Sequence, residues 1–476
     1  MRLADVIRLS KDYLLLGITL ALFLALIFFV GYFLIYKIGM KGKKEITFWK
    51  LSVSAILFCY LIVVFGATLG SRGDLYQGSV NLYPFSAYRK AWNSFSITAW
   101  RNIILNILMF VPLGFLLPIF SEKFRKAWKT YLVGFMLTLG IECIQYFTGR
   151  GILEIDDIIG NTAGTMIGYG LITLLLYVIG RLRNKTSIIG GRKAVIYQIP
   201  LMLTIVLFSS IFLAYSLQEL GNLSVAHSYQ YNMSGILVES DISLSDLEGK
   251  AYVYKTKVGT KDETLRLANN LLKNFSTGVD EKQNDYYNDT AVYTSASGNH
   301  SVWIDYSGLT VWFNDYSLRE DEMQEGYTLD EVIPILENYS IILPKEISFA
   351  DKGNGNYILT AKMEEFDSGF IDGTLRCTIT SDGMLSSFQN RLIQYEKYKE
   401  YEIISEKQAF ENLKKGKVNY QYLYEGPKSI DVKKVKLDYQ LDTKGYYQPI
   451  FVFEVIVNGE MTEIPIVALK GCGICQ

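Results

Sequence analysis

Hydrophobic positions follow two regimes along this chain. Up to Leu217 they form long runs, near Tyr13–Tyr36, Trp49–Gly70, Arg101–Phe120, Trp128–Thr148, Asp157–Ile179 and Val195–Leu217. Each is close to the ~20 apolar residues needed to cross the hydrocarbon core of a bilayer. Beyond Leu220 the long runs stop and shorter periods replace them. Val435, Leu437, Tyr439 and Leu441 alternate with Lys434, Lys436, Asp438 and Gln440, the period of a half-buried strand. Thr443-Lys444-Gly445 follows as a turn, and Ile450–Val457 is apolar on both faces apart from Glu454, as in a central strand. Thr260-x-x-Glu263, Thr328-x-x-Glu331 and Ser405-x-x-Gln408 are capping boxes that announce three helices. Leu267, Leu271 and Phe275 share a face of the first; Ala409, Phe410 and Leu413 share a face of the third, which stops at Gly416. Pro334 sits awkwardly inside the second. The pattern predicts a membrane all-α bundle of six transmembrane helices over 1–217. An α+β domain over 220–476 follows, with two or three loosely repeated helix-and-strand units.

Composition sharpens this division. The 476 residues suit two or three domains, and 50% of them are hydrophobic, concentrated before Leu220. A net charge of -1 gives no ground for a nucleic-acid partner. Only Cys472 and Cys475 of the five cysteines lie close together. A redox CxxC opens a helix whose N-terminus lowers the thiol pKa; with one residue left after Cys475, a local disulfide or two idle thiols is expected instead. The first run is too long for a signal peptide and no small-residue cleavage site follows it.

Loop charges orient the spans. One set of loops carries Lys37, Lys41, Lys43 and Lys44, then Lys123, Arg125, Lys126 and Lys129, then Arg181, Arg183, Lys185, Arg192 and Lys193. The opposite set mixes Arg72, Arg89, Lys90, Arg101 and Arg150 with Asp74, Glu154, Asp156 and Asp157. The positive-inside rule makes the first set cytoplasmic and places both termini outside, against the preference of Arg2, Arg8 and Lys11 in the N-terminal tail. The expected location is therefore a membrane, crossed several times, with an extracytoplasmic C-terminal domain.

Polar residues interrupt the runs at one end. Asn102 and Asn106, four apart, share a face of the third span beside Arg101; Glu142 and Gln145, three apart, share a face at the end of the fourth; Asp157, Asn161, Gly164 and Gly168 form a stripe on the fifth. An ionisable group inside a span costs roughly 2.5–3.5 kcal/mol on insertion scales, so each asks for a reason. Glu142 and Asn106 are expected on the order of 7–10 Å below the outer boundary, at 1.5 Å per residue. With Asn81 from the preceding loop, these side chains are expected to form one outward-facing pocket, with Arg101 or Arg150 as partner of Glu142. Other roles compete: interhelical hydrogen bonding for Asn102, Asn106 and Asn161, close packing for Gly164 and Gly168, and a cap on the fifth helix for Asp156.

In order and spacing, several segments resemble the VanZ family of bacterial membrane proteins. They are Asn81-Leu82-Tyr83-Pro84-Phe85, the stretch Asn102–Gly114 (NIILNILMFVPLG), Glu142-Cys143-Ile144-Gln145, Arg150, and the stretch Asp156–Gly164 (DDIIGNTAG). They cover roughly Asn81 to Gly180. The resemblance implies a cell-envelope address and an association with resistance to teicoplanin and related lipid-bearing glycopeptides; it names no reaction. The last unit, SEKQAFENLKKGKV and the two strands after it, resembles YycH/YycI- and PepSY-like modules, which implies a binding or regulatory role in the envelope.

Three functions are open. The pocket of Asn81, Arg101, Asn102, Asn106, Glu142, Gln145, Arg150, Asp156, Asp157 and Asn161 would engage a membrane lipid or lipid-linked, amphipathic envelope molecule, with no cofactor or resident metal expected. Alternatively, Glu142, Asp156 and Asp157 would serve an enzyme acting on an envelope lipid or wall precursor, as general acid and base or as oxygen ligands of Mg²⁺. Or the external domain is the working part, a sensor that meets an envelope protein partner. The two histidines, His227 and His300, are expected to be structural, and Trp303 and Trp312, with Tyr306 and Phe313, to be core strand residues. A periplasmic-type reporter such as alkaline phosphatase fused after Leu217 should be active, and a cytoplasmic-type reporter at the same position inactive; the reverse result would overturn the orientation.

Overall fold

The computed structural model describes residues 48–70, 80–149, 151–183, 190–287, 289–317, 326–339, 341, 343–361, 364–366, 369–423 and 426–471. The expected span Tyr13–Tyr36, Arg150, Cys472 and Cys475 lie outside them. The chain divides into two compact units, Met1–Gln230 and Tyr231–Gln476.

Five of the expected spans are present in the first unit as helices long and apolar enough to cross a membrane. They are α1 (Phe48–Phe65) with its π-helical continuation Gly66–Gly70, α3 (Ile97–Phe120), α4 (Ala127–Thr148), α5 (Ile155–Leu182), and α6 (Gly191–Ile196) running into α7 (Ile199–Leu217). A short helix, α2 (Ser86–Ser94), precedes α3. The two-residue strands β1 (Val80–Asn81) and β2 (Leu153–Glu154) pair in parallel, tying the loop before α2 to the loop before α5.

Helices α3 and α5 meet backbone to backbone. A Cβ at Gly164 would overlap the Ile107 carbonyl oxygen, one at Gly168 that of Val111, and one at Gly114 that of Thr165. The packing reading of Gly164 and Gly168 therefore holds, with Gly114 as a reciprocal small residue on the facing helix. Between lipid chains no hydrophobic effect draws helices together, so close van der Waals contact of this kind supplies much of their association. On the other side of α3, Phe110, Leu113, Leu117 and Ile141 close around Val64 of α1.

The second unit holds two sheets. The first comprises β5 (Asp285–Tyr286), β6 (Thr290–Thr294), β7 (His300–Asp305), β8 (Val311–Asp315), β9 (Ile347–Asp351), β10 (Asn356–Ala361), β13 (Thr374–Ile379) and β14 (Leu385–Asn390). Their spatial order is β5-β6-β7-β8-β14-β13-β10-β9, antiparallel throughout. That order reads alike from either end. Helix α8 (Lys261–Lys273) precedes the strands β5 to β8, and α9 (Leu329–Asn338) precedes β9, β10, β13 and β14. The two meanders join last strand to last strand at β8 and β14. A helix and four strands thus follow each of the capping boxes at Thr260 and Thr328, and both boxes form. Pro334 lies within α9, which runs on to Asn338.

One face of this sheet is the core. Val302, Ile304, Phe313, Leu375, Cys377 and Phe388 pack with Ala268 and Leu272 of α8 and Val332 and Leu336 of α9. Burial pushes the Cys377 thiol up to about 12, leaving it a small hydrophobe. Trp303 and Trp312 depart from expectation. They are 42% and 51% exposed, on the face opposite this core, because strand alternation sends Val302, Ile304, Val311 and Phe313 inward instead. Phe313 is core as expected, and Tyr306 packs against it partly buried. His300 is buried, with Nε2 3.3 Å from Asp315 Oδ2 and Nδ1 3.1 Å from Ser295 Oγ, stacked on Phe313.

The second sheet runs β11 (Glu364–Phe366), β12 (Gly369–Asp372), β15 (Ile393–Ile403), β4 (Gly249–Thr256), β17 (Tyr446–Val457), β16 (Ser429–Leu441) and β3 (Leu237–Ser240), with β18 (Glu460–Val467) also on β17. The β11–β12 hairpin leaves the first sheet after β10 and returns to it at β13, linking the two. β17 is central, as its two apolar faces require, and Gly445 makes the turn before it at φ 85°. The third expected helix, α10 (Glu406–Lys414), buries Ala409, Phe410 and Leu413 and ends at Gly416 with φ 73°.

Gly164→Leu should separate α3 from α5. Overpacking costs typically 1–3 kcal/mol where side chains can yield, and a backbone carbonyl cannot, so a larger loss is expected. Thermal unfolding in detergent measures it, with Gly140→Leu, whose Cβ meets nothing within 4 Å, as the neutral control.

Candidate functional site

The candidate residues gather at one end of the first unit, where α3 and α5 begin and α4 ends. The structure resolves them into a set of ties between elements.

Asp156 is the most heavily engaged. It is 5% exposed and accepts from the backbone N–H of Phe85 (2.5 Å) and Ala87 (2.8 Å), and from Ser86 Oγ (3.4 Å). The two backbone donors are free N–H groups at the start of α2. Asp156 therefore caps α2 rather than its own helix, whose N-cap position, Glu154, makes no side-chain cap bond. Phe85 takes the left-handed conformation there, φ 63°, strained for a residue with a Cβ. Two charge-assisted bonds and the positive end of the α2 dipole offset that strain. Asn81 completes the cluster: its Nδ2 donates to Ser86 Oγ at 2.8 Å, and its Oδ1 accepts from Tyr83 N at 3.2 Å in a local turn. Burial, with the charges of Asp156 and Asp157 adding to it, pushes the Tyr88 phenol of α2 up to about 12, so it stays neutral beside them.

The other candidates tie helices to one another. Asn106 Nδ2 of α3 donates to Asp157 Oδ1 of α5 at 2.6 Å. Asn161 Nδ2 of α5 donates to Thr138 Oγ1 of α4 at 2.8 Å. Gln145 Nε2 of α4 donates to the carbonyl of Thr68 at 2.8 Å, in the π-helical turn ending α1, where the α-helical pairing of carbonyls is broken. Glu142, 2% exposed, accepts from the N–H of Glu154 in β2 at 3.0 Å. Arg101 is not its partner: among the described residues it forms no ion pair, and Arg150 lies outside them. Asn102 is exposed and shares no hydrogen bond with the rest.

Among the described residues, several polar atoms in this region are buried without a hydrogen-bond partner. They are Arg101 Nε and Nη2, Gln145 Oε1, Asn161 Oδ1 and Thr162 Oγ1. An unmade hydrogen bond at a buried group costs about 1–3 kcal/mol, more where the group is charged. Sequence reasoning missed Ser86, Thr68 and Thr138. Thr138 was within reach, being one turn before Glu142 on the same face; Thr68 was not, since only its backbone takes part.

Among the described residues no group of three or more His, Cys, Asp or Glu side chains is placed to hold a metal ion.

Residues 51–176 match the VanZ/LLP1 family. Over 101 residues the chain is 33% identical to the Protein VanZ of Enterococcus faecium, a stretch covering 21% of this chain and 56% of that relative. The chain thus matches little more than half of the relative's length, and the membrane unit is VanZ-like over that region. Two solved structures are also similar: an uncharacterized protein from Eubacterium rectale (13% identity, 48% of this chain and 86% of that one, TM-score 0.25) and the Bacillus megaterium YpeB C-terminal domain (13%, 45% and 95%, TM-score 0.22). TM-scores this low bear on neither the fold nor the function of this chain.

Asp156→Ala should leave the first N–H groups of α2, which are partly buried, without their acceptor. A cap is worth ~1 kcal/mol, and up to about 2 where the freed donors are poorly solvated, so a loss of roughly 1–2 kcal/mol is expected in thermal unfolding, with Asp156→Asn recovering part of it.

Proposed function

We propose that this chain is a VanZ-like cell-envelope membrane protein that contributes to resistance to teicoplanin or related lipoglycopeptides. In this reading the outward end of its helices engages a lipid-linked or amphipathic envelope molecule. The observation that carries it is the Arg101 guanidinium, with two buried nitrogens unpartnered at the same helix ends as the unpartnered oxygens of Gln145, Asn161 and Thr162. Buried donors and acceptors without partners ask for an explanation, and a bound polar group is one. A guanidinium matches phosphate or carboxylate through its planar fork. The amide oxygens accept from hydroxyl or amide groups, and the apolar helices around them suit an acyl chain.

The side of the membrane rests on the loop charges, and the resistance class on the VanZ resemblance. The acid–base alternative draws little from the geometry, because Asp156 is held by the N-terminus of α2 and Asp157 by Asn106.

Arg101→Ala, expressed to the level of the unmodified protein, should raise susceptibility to teicoplanin and leave the lipid-free glycopeptide vancomycin unaffected. The expected change is about tenfold, the equivalent of ~1.4 kcal/mol of lost interaction. Unchanged teicoplanin susceptibility in both Arg101→Ala and Arg101→Lys would refute the reading.

A further inference from the structure

The sheet face opposite α8 and α9 carries a pattern that the helical unit does not explain. Trp303 and Trp312 sit directly opposite each other on β7 and β8, and the same register line continues through Gln389 on β14 to Arg376 on β13. At ~4.8 Å between neighbouring strands, this row spans roughly 14 Å. An antiparallel sheet often leaves one face to water, and that face is then polar. Two indoles at its centre, 42% and 51% exposed, are the exception. Cross-strand aromatic pairs ordinarily gain by packing together, yet among the described residues neither indole makes a ring or cation–π contact, and neither N–H is bonded.

The adjoining register line narrows the choice of ligand. It runs Thr294, Ser301, Asn314, Ser387, Thr378 and Asn356, with a hydroxyl or carboxamide at every strand. Some of these already bond one another, Ser387 Oγ to Thr378 Oγ1 at 3.2 Å and Thr378 Oγ1 to Asn356 Oδ1 at 2.9 Å, which holds them in place. On this side the aromatic strip is edged by uncharged donors and acceptors, and on the other by Asp305, which accepts from Thr290 Oγ1 at 2.7 Å and Thr310 Oγ1 at 2.8 Å. Such a surface suits a ligand with apolar C–H faces and a fringe of hydroxyls and amides. Nucleic acid would want a track of cations, and a protein partner an apolar interface core; the adjoining line offers neither.

We propose that this face is a glycan-binding platform. Trp303 and Trp312 stack against the apolar faces of successive sugar rings, while the hydroxyl and amide line bonds their substituents and Gln389, whose carbonyl oxygen accepts from the Arg391 guanidinium, offers its amide N–H. Arg376 closes the far end, where an acidic substituent would be met. Binding a wall glycan in the cell further requires the extracytoplasmic placement of this unit expected from the loop charges, whereas the binding itself does not.

The test uses the full chain purified in detergent, so its outcome is independent of membrane orientation, which the reporter fusions decide separately. Sedimentation with insoluble peptidoglycan and calorimetric titration with the N-acetylglucosamine hexamer should both show binding. Trp303→Ala/Trp312→Ala should weaken it at least tenfold with the circular dichroism unchanged. Trp303→Phe/Trp312→Phe should retain most of it, which a merely unfolded sheet would not. The proposal is overturned if the unmodified protein binds neither probe, if the double alanine variant binds as well as the unmodified protein, or if a single-stranded oligonucleotide displaces the glycan.

Discussion

The glycine-lined contact between α3 and α5 governs the membrane unit. With the backbones at Ile107 and Gly164, and at Val111 and Gly168, pressed together, the depth of every side chain on one helix is set against the other. Asn106 reaches Asp157 because of that register. The placement of α5 in turn fixes Asn161 against Thr138 and puts Asp156 under the first turn of α2. Shifting α5 by one turn, about 5.4 Å, would undo these ties together. The polar residues therefore act less as independent pocket walls than as a cross-linked frame, and the unpartnered atoms of Arg101, Gln145, Asn161 and Thr162 are what that frame leaves over.

The two units obey different physics. In the first, apolar side chains can face lipid, so polar side chains and small residues specify how the helices associate. In the second, water drives apolar residues to one side of each strand, and specificity comes from alternation. The mirrored order of the first sheet follows from its repeat: two helix-and-meander halves, each with one edge strand free, complete each other's ladder at β8 and β14. That junction removes two exposed edges, which would otherwise invite pairing with other chains.

Much of the candidate site was legible as a location. Helical spacing put Glu142, Gln145, Asp157 and Asn161 at one end of their helices, and they lie near the end of α4 and the start of α5. Their partners were not legible, because many of them are backbone groups. The Thr68 carbonyl, the Glu154 N–H and the first N–H groups of α2 carry no signature in residue type. Asp156 shows the difficulty most plainly. It opens α5 and reads as that helix's own cap, yet it caps a helix some seventy residues earlier in the chain.

Sequence alone determined the regime change near Leu217, five of the six expected spans within the described residues, the capping-box helices, the central strand at Ile450–Val457 and the VanZ-like character of the membrane part. All of these rest on local periodicity or on order along the chain. Tertiary structure decided which faces met. Strand alternation in SVWIDYSGLTVWFND marks two faces without saying which is covered, and the helices that pack beneath Val302, Ile304 and Phe313 turned Trp303 and Trp312 to the surface. Burial of a face depends on what arrives from elsewhere in the chain, and a local pattern carries no record of that.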